Sequence, residues 1–318
     1  RQIDFAQHLT MTTLASPTWL WRLPVPFVFG PVGGGEVAPP NVLADLPAAM
    51  RAGEWLRRLW SWSMTTCNPL FRAGCRRAAL LVAVTTQSQS RFPRRHCGKS
   101  LVVSSVGLDA VGMSDSVAGW NHRTDDPGPL RILYVGRLLY WKGLHLALQA
   151  HSIARAAGAA VALTIVGKGP ARDLAFLKQL AGRLQHGGEV CWHDWMQRAE
   201  ISGMYGSHDV FVFPTFHDSG GMAVCEAMQH GLPVITLDLG KPPELIGDAG
   251  IVIATDGRSP AEVAAALADE FIALAGNRQR LSNLRAKIPA ALDILAWPGL
   301  IRSIVDGIAR VNAPNPDN

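Results

Sequence analysis

The sequence predicts an α/β fold in which helices cover both faces of parallel sheets. Three observations support this prediction. The chain has 318 residues, which is enough for two domains. In its second half, short apolar runs alternate with helical stretches, and strands connected in this way form right-handed crossovers and parallel sheets. A polar, turn-forming segment at residues 120–129, WNHRTDDPGP, is expected to be the linker between the two halves.

The first half, residues 1–119, is expected to form the less regular domain. It contains three strand-like runs, at Phe27–Phe29, Ala79–Val84 and Leu101–Val103, and a helical region rich in Trp and Arg. The chain begins with Arg1 rather than Met. We therefore expect that the sequence is truncated at its N-terminus and that this domain is incomplete.

The second half, residues 130–295, is expected to form a doubly wound domain that is complete in itself. Its predicted strands are Arg131–Val135, Val161–Val166, Glu189–Trp192, Asp209–Pro214 and Pro233–Leu237. Its predicted helices are Leu144–Ala156, Ala171–Leu184, Arg198–Tyr205 and a helix that begins at Met222. Apolar residues recur at helical spacing from Trp297 to Val311, so residues 296–318 are expected to be a helix and tail that pack against one of the domains.

The composition is that of a protein with a substantial core, because 48% of the residues are hydrophobic and 17% are charged. No apolar run reaches the roughly 18 to 20 residues that a membrane span needs. The five cysteines are odd in number and show no CxxC spacing. This pattern favours reduced thiols in the cytoplasm over a disulfide framework or a zinc site.

Positive charge is concentrated in the first 120 residues, which hold 12 Lys and Arg against 6 Asp and Glu, in a chain of net charge +5. Several of these arginines lie close in sequence to Trp55, Trp60 and Trp62. Such a mixture suits an anionic membrane surface or an acidic acceptor, and a solvated basic surface is the alternative. Nucleic acid is not expected as a partner, since no recognised nucleic-acid module is present. We expect a cytoplasmic protein, with peripheral contact at the inner face of the plasma membrane as a further hypothesis.

Ligands of an open parallel sheet bind beyond the carboxyl ends of its strands, and the first such end here is VGRLLYWKG at 135–143. Gly136 permits a sharp turn, and Arg137 and Lys142 place two cations in one loop. A guanidinium and an ammonium together suit a diphosphate, whereas the alternative is an ordinary exposed pair of cations.

A second strand end, VGKGP at 166–170, supplies Gly167 and Gly169. It is similar to a dinucleotide fingerprint but does not complete it, because Arg172 occupies the place of the third glycine. The signal is weak alone, and a tight turn without a ligand is the alternative.

The third strand end is HDSGGMAVCEAM at 217–228. Gly220 and Gly221 expose amides at a helix start, where the macrodipole also favours an anion. Glu226 lies seven residues after Ser219 on the same helical face, roughly 10 Å along the helix, so it could accept hydrogen bonds from a ribose. Asp218 would face whatever lies beyond the phosphates. In the alternative, Asp218 or Ser219 is an N-cap and Glu226 is merely solvated.

These motifs resemble the donor-binding half of glycosyltransferase family 4 (group 1), a family of retaining enzymes with the GT-B architecture. The resemblance covers about residues 130–255 and is based on the ordered motifs VGRL, WKG, GKGP, DVFVFPT, DSGG, EAM and GLPVI. The family has two glutamates eight residues apart, and Asp218 stands in place of the first. In the first half, GPVGGGE at 30–36 and the histidine of QHLT resemble a subgroup of the same family.

The resemblance implies two Rossmann-like domains that face each other across a cleft and bind a nucleotide sugar. Residues expected to act in catalysis are Arg137, Lys142, Asp218 and His8, although a structural role for His8 remains the alternative. Residues expected to bind the donor are Gly33, Gly34, Gly136, Gly167, Gly169, Trp195, Met196, Ser219, Gly220, Gly221, Met222 and Glu226. Within this set, Trp195 and Met196 would flank the base, and Gly33 and Gly34 would approach the sugar.

The expected function is that of a retaining transferase that moves a hexose from a UDP- or GDP-sugar to a saccharide or lipid-linked acceptor, in polysaccharide or glycolipid synthesis. No metal or other cofactor is expected, since no Asp-x-Asp motif is present and cations can stabilise the leaving diphosphate. The alternatives are a nucleotide-sugar epimerase of the same architecture, an NAD-linked oxidoreductase, against which the incomplete glycine fingerprint argues, and a catalytically impaired nucleotide-binding fragment.

Overall fold

The computed structural model describes residues 3–9, 13–108, 128–184 and 190–312, which form two parallel sheets flanked by helices. The first sheet has the strand order β1-β2-β3-β4. Its strands are β1 Ala6–Gln7, β2 Phe27–Val32, β3 Leu80–Ala83 and β4 Ser100–Val102. The three strands predicted for this domain are present, and the two-residue β1 was not predicted because so short a run carries no periodicity.

The second sheet has the strand order β10-β9-β8-β5-β6-β7, and all its pairings are parallel. Its strands are β5 Leu130–Val135, β6 Val161–Val166, β7 Val190–His193, β8 Val210–Phe213, β9 Val234–Leu237 and β10 Ile251–Ile253. The chain winds outward from β5 in one direction through β6 and β7, and then in the other through β8, β9 and β10. This order is that of a doubly wound Rossmann sheet, whose switch point lies between β5 and β8.

The helices of the second domain cover both faces of its sheet. They are α4 Leu144–Ala156, α5 Ala171–Arg183, α6 Arg198–Ser207, α7 Met222–Gln229, α8 Pro242–Ile246, α9 Pro260–Gly276, α10 Arg278–Arg285 and α11 Ile288–Asp293. Because both faces are covered, β8 is buried at all four positions and reads as a continuous apolar run. Helices α8 to α11 were not predicted, although the capping box formed by Ser259 and Glu262 marks the start of α9.

Among the described residues, the first domain has fewer helices, namely α1 Ala48–Thr66, α2 Pro69–Arg77 and α3 Thr86–Gln89. Its segment from Ala38 to Met50 leaves the first sheet and contributes buried side chains to the core of the second domain. The last helix, α12 Trp297–Asn312, makes the reverse crossing, since Leu300, Ile304 and Ile308 pack on the first sheet. The two halves therefore exchange segments as well as contact each other.

The ends of the predicted elements either agree with the structure or differ from it by one to three residues. The strand predicted from Phe27 continues to Val32, and the strand predicted from Glu189 is described from Val190. The predicted linker lies mostly outside the described residues, as do Glu189 itself and the tail after Asn312. The division into domains at 119, 129 and 295 therefore stays a prediction.

Candidate functional site

A cleft of about 430 Å³ lies at the carboxyl ends of β5, β6 and β7. It collects six of the predicted site residues: Arg137, expected to act in catalysis, and Gly136, Gly167, Gly169, Trp195 and Met196, expected to bind the donor. The Trp195 side chain is 67% exposed, so its ring is available to a ligand. The volume is in the range of small-molecule sites, and the cleft adjoins the strand of the switch point.

The glycines of this cleft are required by the close approach of its loops. A Cβ on Gly167 would lie 1.9 Å from the carbonyl oxygen of Gly136, and one on Gly169 would lie 2.0 Å from that of Leu138. Backbone hydrogen bonds join the same loops, from Gly136 N to Val166 O at 3.0 Å and from Leu138 N to Lys168 O at 2.8 Å. The loops after β5 and β6 are thus held as one wall of the cleft.

Lys142 and Asp218 form an ion pair between the loops that follow β5 and β8. Asp218 Oδ1 also accepts hydrogen bonds from the amides of Gly220 and Gly221, each at 2.9 Å. Burial opposes ionisation of the Asp218 carboxyl, but the Lys142 ammonium and the two amides outweigh it and lower the pKa. The carboxylate is therefore an anion at neutral pH that holds both Lys142 and the turn that precedes α7.

The start of α7 has the form expected from its sequence. Gly221 has φ +69°, a left-handed conformation that favours glycine, and precedes Met222, the first residue of α7. Ser219 lies within the same turn and is half-buried. The amides predicted to meet the diphosphate are bound to Asp218 here, within the turn that precedes α7, and their contact with a diphosphate stays a prediction.

Glu226 lies one turn further along α7 than this helix start, and Tyr205 at the end of α6 contacts it. The Tyr205 hydroxyl donates to Glu226 Oε2 at 3.3 Å. Burial, followed by the Glu226 charge, raises the pKa of Tyr205, so the phenol remains a donor at neutral pH. Tyr205 therefore fixes the direction of the carboxylate that is predicted to hold the ribose.

The glycine-rich loop at 33–35 is held by the carboxylate of Glu36, which is buried. Glu36 Oε2 accepts from Gly34 N at 2.9 Å, and Oε1 accepts from the hydroxyls of Thr85 and Ser88, each at 2.7 Å. Gly34 has φ +87°, and Ser88 Oγ also accepts from the amide of Gly35 at 3.1 Å. The loop at 33–35, which is predicted to approach the sugar, is thus held in place by its hydrogen bonds to Glu36 and Ser88.

A buried carboxylate in α1 joins the first domain to the loop that carries Asp218. Glu54 accepts from His217 Nε2 at 3.0 Å, from Arg57 at 2.7 Å and from the Tyr140 hydroxyl at 3.4 Å. Burial by itself opposes ionisation, but the hydrogen bonds from His217 and Arg57 lower the pKa of Glu54 to about 2. Burial also lowers the pKa of His217, so a neutral imidazole donates to an ionised carboxylate.

His8 lies just after β1, where its amide donates to Val28 O at 3.0 Å. Its ring stacks on Phe29, with centroids 5.6 Å apart and planes 8° apart. This packing accounts for an imidazole at the position, so a contact between His8 and the sugar or acceptor stays a prediction.

Sequence reasoning did not identify Glu54, His217, Tyr205 or Glu36 as parts of the site. Glu36 and His217 adjoin the motifs GGG and DSGG and could have been found from that proximity. Glu54 and Tyr205 lie in unrelated helices, and no spacing in the sequence connects them to the site.

Two further findings concern the described residues alone. They contain no group of three or more His, Cys, Asp or Glu side chains placed to hold a metal ion. Within the same ranges, no helix has the length and apolar character that crossing a bilayer requires.

Comparison with known families identifies the domain that carries the cleft. The profile of the family described as "Glycosyl transferases group 1" matches residues 129–273. The matched segment, just under half of the chain, is similar to the group 1 glycosyltransferases. The resemblance read from the motifs of this domain is therefore confirmed.

Two of the curated proteins similar to this chain have polysaccharide-related names. Glycogen synthase from Mycobacterium tuberculosis is 26% identical over 195 residues, which is 61% of this chain and 45% of that protein. The putative colanic acid biosynthesis glycosyltransferase WcaL from Salmonella typhimurium is 29% identical over 192 residues, or 56% of this chain and 44% of that protein. The chain thus spans less than half the length of these relatives.

Solved structures match a larger part of the chain than the group 1 domain alone. HepE from Anabaena, in complex with UDP and glucose, has a TM-score of 0.64 at 16% identity and covers 90% of this chain and 72% of its own. A UDP-forming trehalose-phosphate synthase from Burkholderia xenovorans has a TM-score of 0.64 at 11% identity. The match covers 91% of this chain and 69% of the synthase chain. The fold is GT-B, as predicted, with two Rossmann-like domains across a cleft.

Proposed function

We propose that this chain is a retaining glycosyltransferase that transfers a hexose from a UDP- or GDP-sugar to a saccharide or lipid-linked acceptor. The observation that carries the proposal is the cleft at the carboxyl ends of β5 to β7, which adjoins the switch point of a group 1 domain. HepE, a structure of the same fold, was solved with UDP and glucose. That likeness supports a nucleotide sugar as the donor.

In the proposed complex, the base lies in the cleft between Trp195 and Met196. Glu226, aimed by the Tyr205 hydroxyl, accepts hydrogen bonds from the ribose. Arg137 is exposed at the mouth of the cleft and is proposed to bind the diphosphate as a bidentate donor. Arg137, Trp195 and Met196 line the cleft, which supports the proposed positions of the diphosphate and the base.

Lys142 and Asp218 are proposed to act on opposite ends of the donor. The ammonium of Lys142 turns from Asp218 toward the diphosphate, where negative charge grows as the glycosidic bond breaks. Asp218 is itself an anion, which repels phosphate, so we propose that it accepts hydrogen bonds from sugar hydroxyls. Its ion pair with Lys142 keeps both groups oriented between turnovers.

The proposed reaction is a substitution on one face of the sugar. The bond from the anomeric carbon to the diphosphate oxygen breaks, the acceptor oxygen bonds to the same face, and the acceptor proton passes to the departing phosphate. Arg137, Lys142 and the amides of the first turn of α7, which follow the two amides bound to Asp218, stabilise the leaving group, so we propose that no metal or other cofactor is needed. Released nucleoside diphosphate and the glycosylated acceptor are the products.

The acceptor and the location are also proposals. Glycogen and colanic acid appear in the names of curated relatives, which supports a role in polysaccharide or glycolipid synthesis. We propose a cytoplasmic protein whose basic first domain contacts the inner face of the plasma membrane, since positive charge and exposed tryptophans coincide there.

Incubation with radiolabelled UDP- and GDP-sugars, with and without oligosaccharide and lipid-linked acceptors, tests the proposal. Transfer with retained anomeric configuration, unaffected by EDTA, is expected. An altered sugar that stays on the nucleotide would indicate an epimerase, and binding without transfer or hydrolysis would indicate an impaired fragment. Activity that EDTA abolishes and manganese restores would contradict the metal-free part of the proposal.

A further inference from the structure

An arginine-rich cavity of about 410 Å³ lies in the first domain, apart from the donor cleft. It is formed by the end of α1, by α2 and by the segment that follows α3. Its lining residues are Thr65, Thr66, Arg72, Arg91, Pro93, Arg94 and Arg95. We call it the arginine pocket. Four guanidinium groups and two hydroxyl-bearing side chains surround a space large enough for a phosphorylated headgroup.

The positive charge of the arginine pocket is not neutralised within the part of the chain that the structure describes. No carboxylate lines the pocket, and none of its arginines forms an ion pair with a described residue. Arg91 is also close to Arg57 and Arg58: burial first, and then these two charges, lower its pKa, although Glu36 partly opposes them. Clustered positive charges repel each other, so an anion bound in the pocket would reduce this repulsion.

Helix α1, whose end lines the arginine pocket, has its polarity reversed relative to a usual surface helix. Its inward side contains Met50, Glu54, Ser61 and Thr65, which are buried, so three of its four buried residues are polar or charged. Its outward side carries five exposed apolar residues, which we call the aromatic face: Trp55 (61% exposed), Leu56 (58%), Leu59 (44%), Trp60 (61%) and Trp62 (49%). A contiguous exposed patch of this kind marks an interaction site, and tryptophans beside arginines are typical of a bilayer interface.

The arginine pocket also contacts the glycine loop of the candidate site. Arg91 Nε donates to the carbonyl of Gly35 at 3.4 Å, and the Arg91 side chain packs beside that glycine. Thr65 and Thr66 line the pocket, so it lies at the C-terminal end of the helix that carries the aromatic face. A molecule held in the pocket would therefore be next to the end of α1 and, through Arg91, next to the loop at 33–35.

We propose that the arginine pocket binds the phosphate or diphosphate headgroup of a lipid-linked acceptor, whose hydrocarbon chain extends from the aromatic face of α1 into the membrane. The guanidinium groups match phosphate oxygens in charge and geometry, and the aromatic face matches the hydrocarbon. That the bound lipid is the acceptor of sugar transfer rests on the proposed function. The pocket and the face themselves can be tested without any sugar transfer.

The test is vesicle binding of the full chain, measured by flotation. The vesicles are phosphatidylcholine alone, phosphatidylcholine with a long-chain polyprenyl phosphate, and phosphatidylcholine with phosphatidylglycerol at the same surface charge. The pocket variant is Arg94→Ala/Arg95→Ala. The matched control is Arg76→Ala/Arg77→Ala, which removes the same charge from exposed positions of α2 that do not line the pocket.

Wild type is expected to prefer polyprenyl phosphate vesicles, and inorganic pyrophosphate is expected to displace it. The pocket variant should lose about tenfold or more in affinity for these vesicles, and the control less than about threefold. Equal losses in both variants, or equal binding to phosphatidylglycerol and polyprenyl phosphate, would overturn the proposal. Retention of pyrophosphate binding with no vesicle binding would also overturn it, because a site for soluble phosphate would remain.

The aromatic face has its own pair of variants. Trp55→Ser/Trp60→Ser should abolish vesicle binding, whereas Ile294→Ser/Ile301→Ser, at exposed apolar positions outside α1, should not. Vesicle binding that survives the tryptophan changes would contradict the inference. Nucleotide binding, measured on the same variants by calorimetry, should be unchanged. Failure of every variant and of wild type to bind a nucleotide would count against the proposed function and leave the vesicle result standing.

Discussion

Replacing Glu54 by Gln would neutralise a buried carboxylate that joins α1 to the loop after β8. The Glu54 side chain is 4% exposed and is bound by Arg57, His217 and Tyr140. A pKa lowered from 4.5 to about 2 corresponds to about 3 kcal/mol of stability at pH 7. The variant keeps the size of the side chain but loses this charge. Its free energy of unfolding should therefore be about 2–3 kcal/mol lower than that of wild type.

Urea unfolding at pH 7, followed by tryptophan fluorescence, measures this difference. Because the folded-state pKa of Glu54 is depressed, its stabilisation is present above about pH 4.5 and is lost as pH falls toward 2. The difference in the free energy of unfolding between wild type and variant should become smaller as the pH falls through that range. As a control, Glu270→Gln breaks a surface pair with Arg280 and should cost less than about 1 kcal/mol. Equal stability of Glu54→Gln and wild type at pH 7 would refute the reasoning.

Three further predictions concern the donor site. Glu226→Ala should weaken nucleotide-sugar binding about 100-fold or more in calorimetry, because two charge-assisted hydrogen bonds to the ribose are lost; unchanged affinity would show that Glu226 does not hold the ribose. Tyr205→Phe should weaken the same binding about fivefold, since Glu226 loses the hydroxyl that orients it, and a full 100-fold loss would instead indicate a direct contact. The double variant Arg137→Ala/Lys142→Ala should lower kcat far more than donor affinity, and equal losses in both would mean that the cations act only in the ground state.

The second domain could be predicted from the sequence in more detail than the first. Its strands are buried on both faces and read as apolar runs, and glycines and charged residues mark the ends of β5, β6 and β8. Because parallel strands end at one edge, residues as distant as Gly136 and Trp195 could be predicted to share a cleft. By contrast, β1 and β10 are two and three residues long, too short for a periodicity to show.

Contacts between the domains were not predictable. Glu54 and His217 are 163 residues apart, and only the packing of α1 against the second domain brings them together. The tryptophans of α1 are exposed, in keeping with the surface role predicted for them, but the burial of Glu54, Ser61 and Thr65 on the same helix could not be predicted. Asp218 shows a different limit: the sequence allows it to be either an N-cap or a ligand contact, and only the geometry shows its bonds to Gly220 and Gly221.

Binding of UDP and GDP to wild type and to Trp195→Ala tests most directly whether the cleft beyond β5 to β7 is a nucleotide site. Trp62→Ala is a suitable control, because Trp62 is also exposed but lies on α1. In calorimetry, one of the two nucleotides should bind wild type and Trp62→Ala equally, and should bind Trp195→Ala about tenfold more weakly through loss of base stacking. Absence of binding by both nucleotides, or equal binding by wild type and Trp195→Ala, would contradict the assignment of this cleft to the donor.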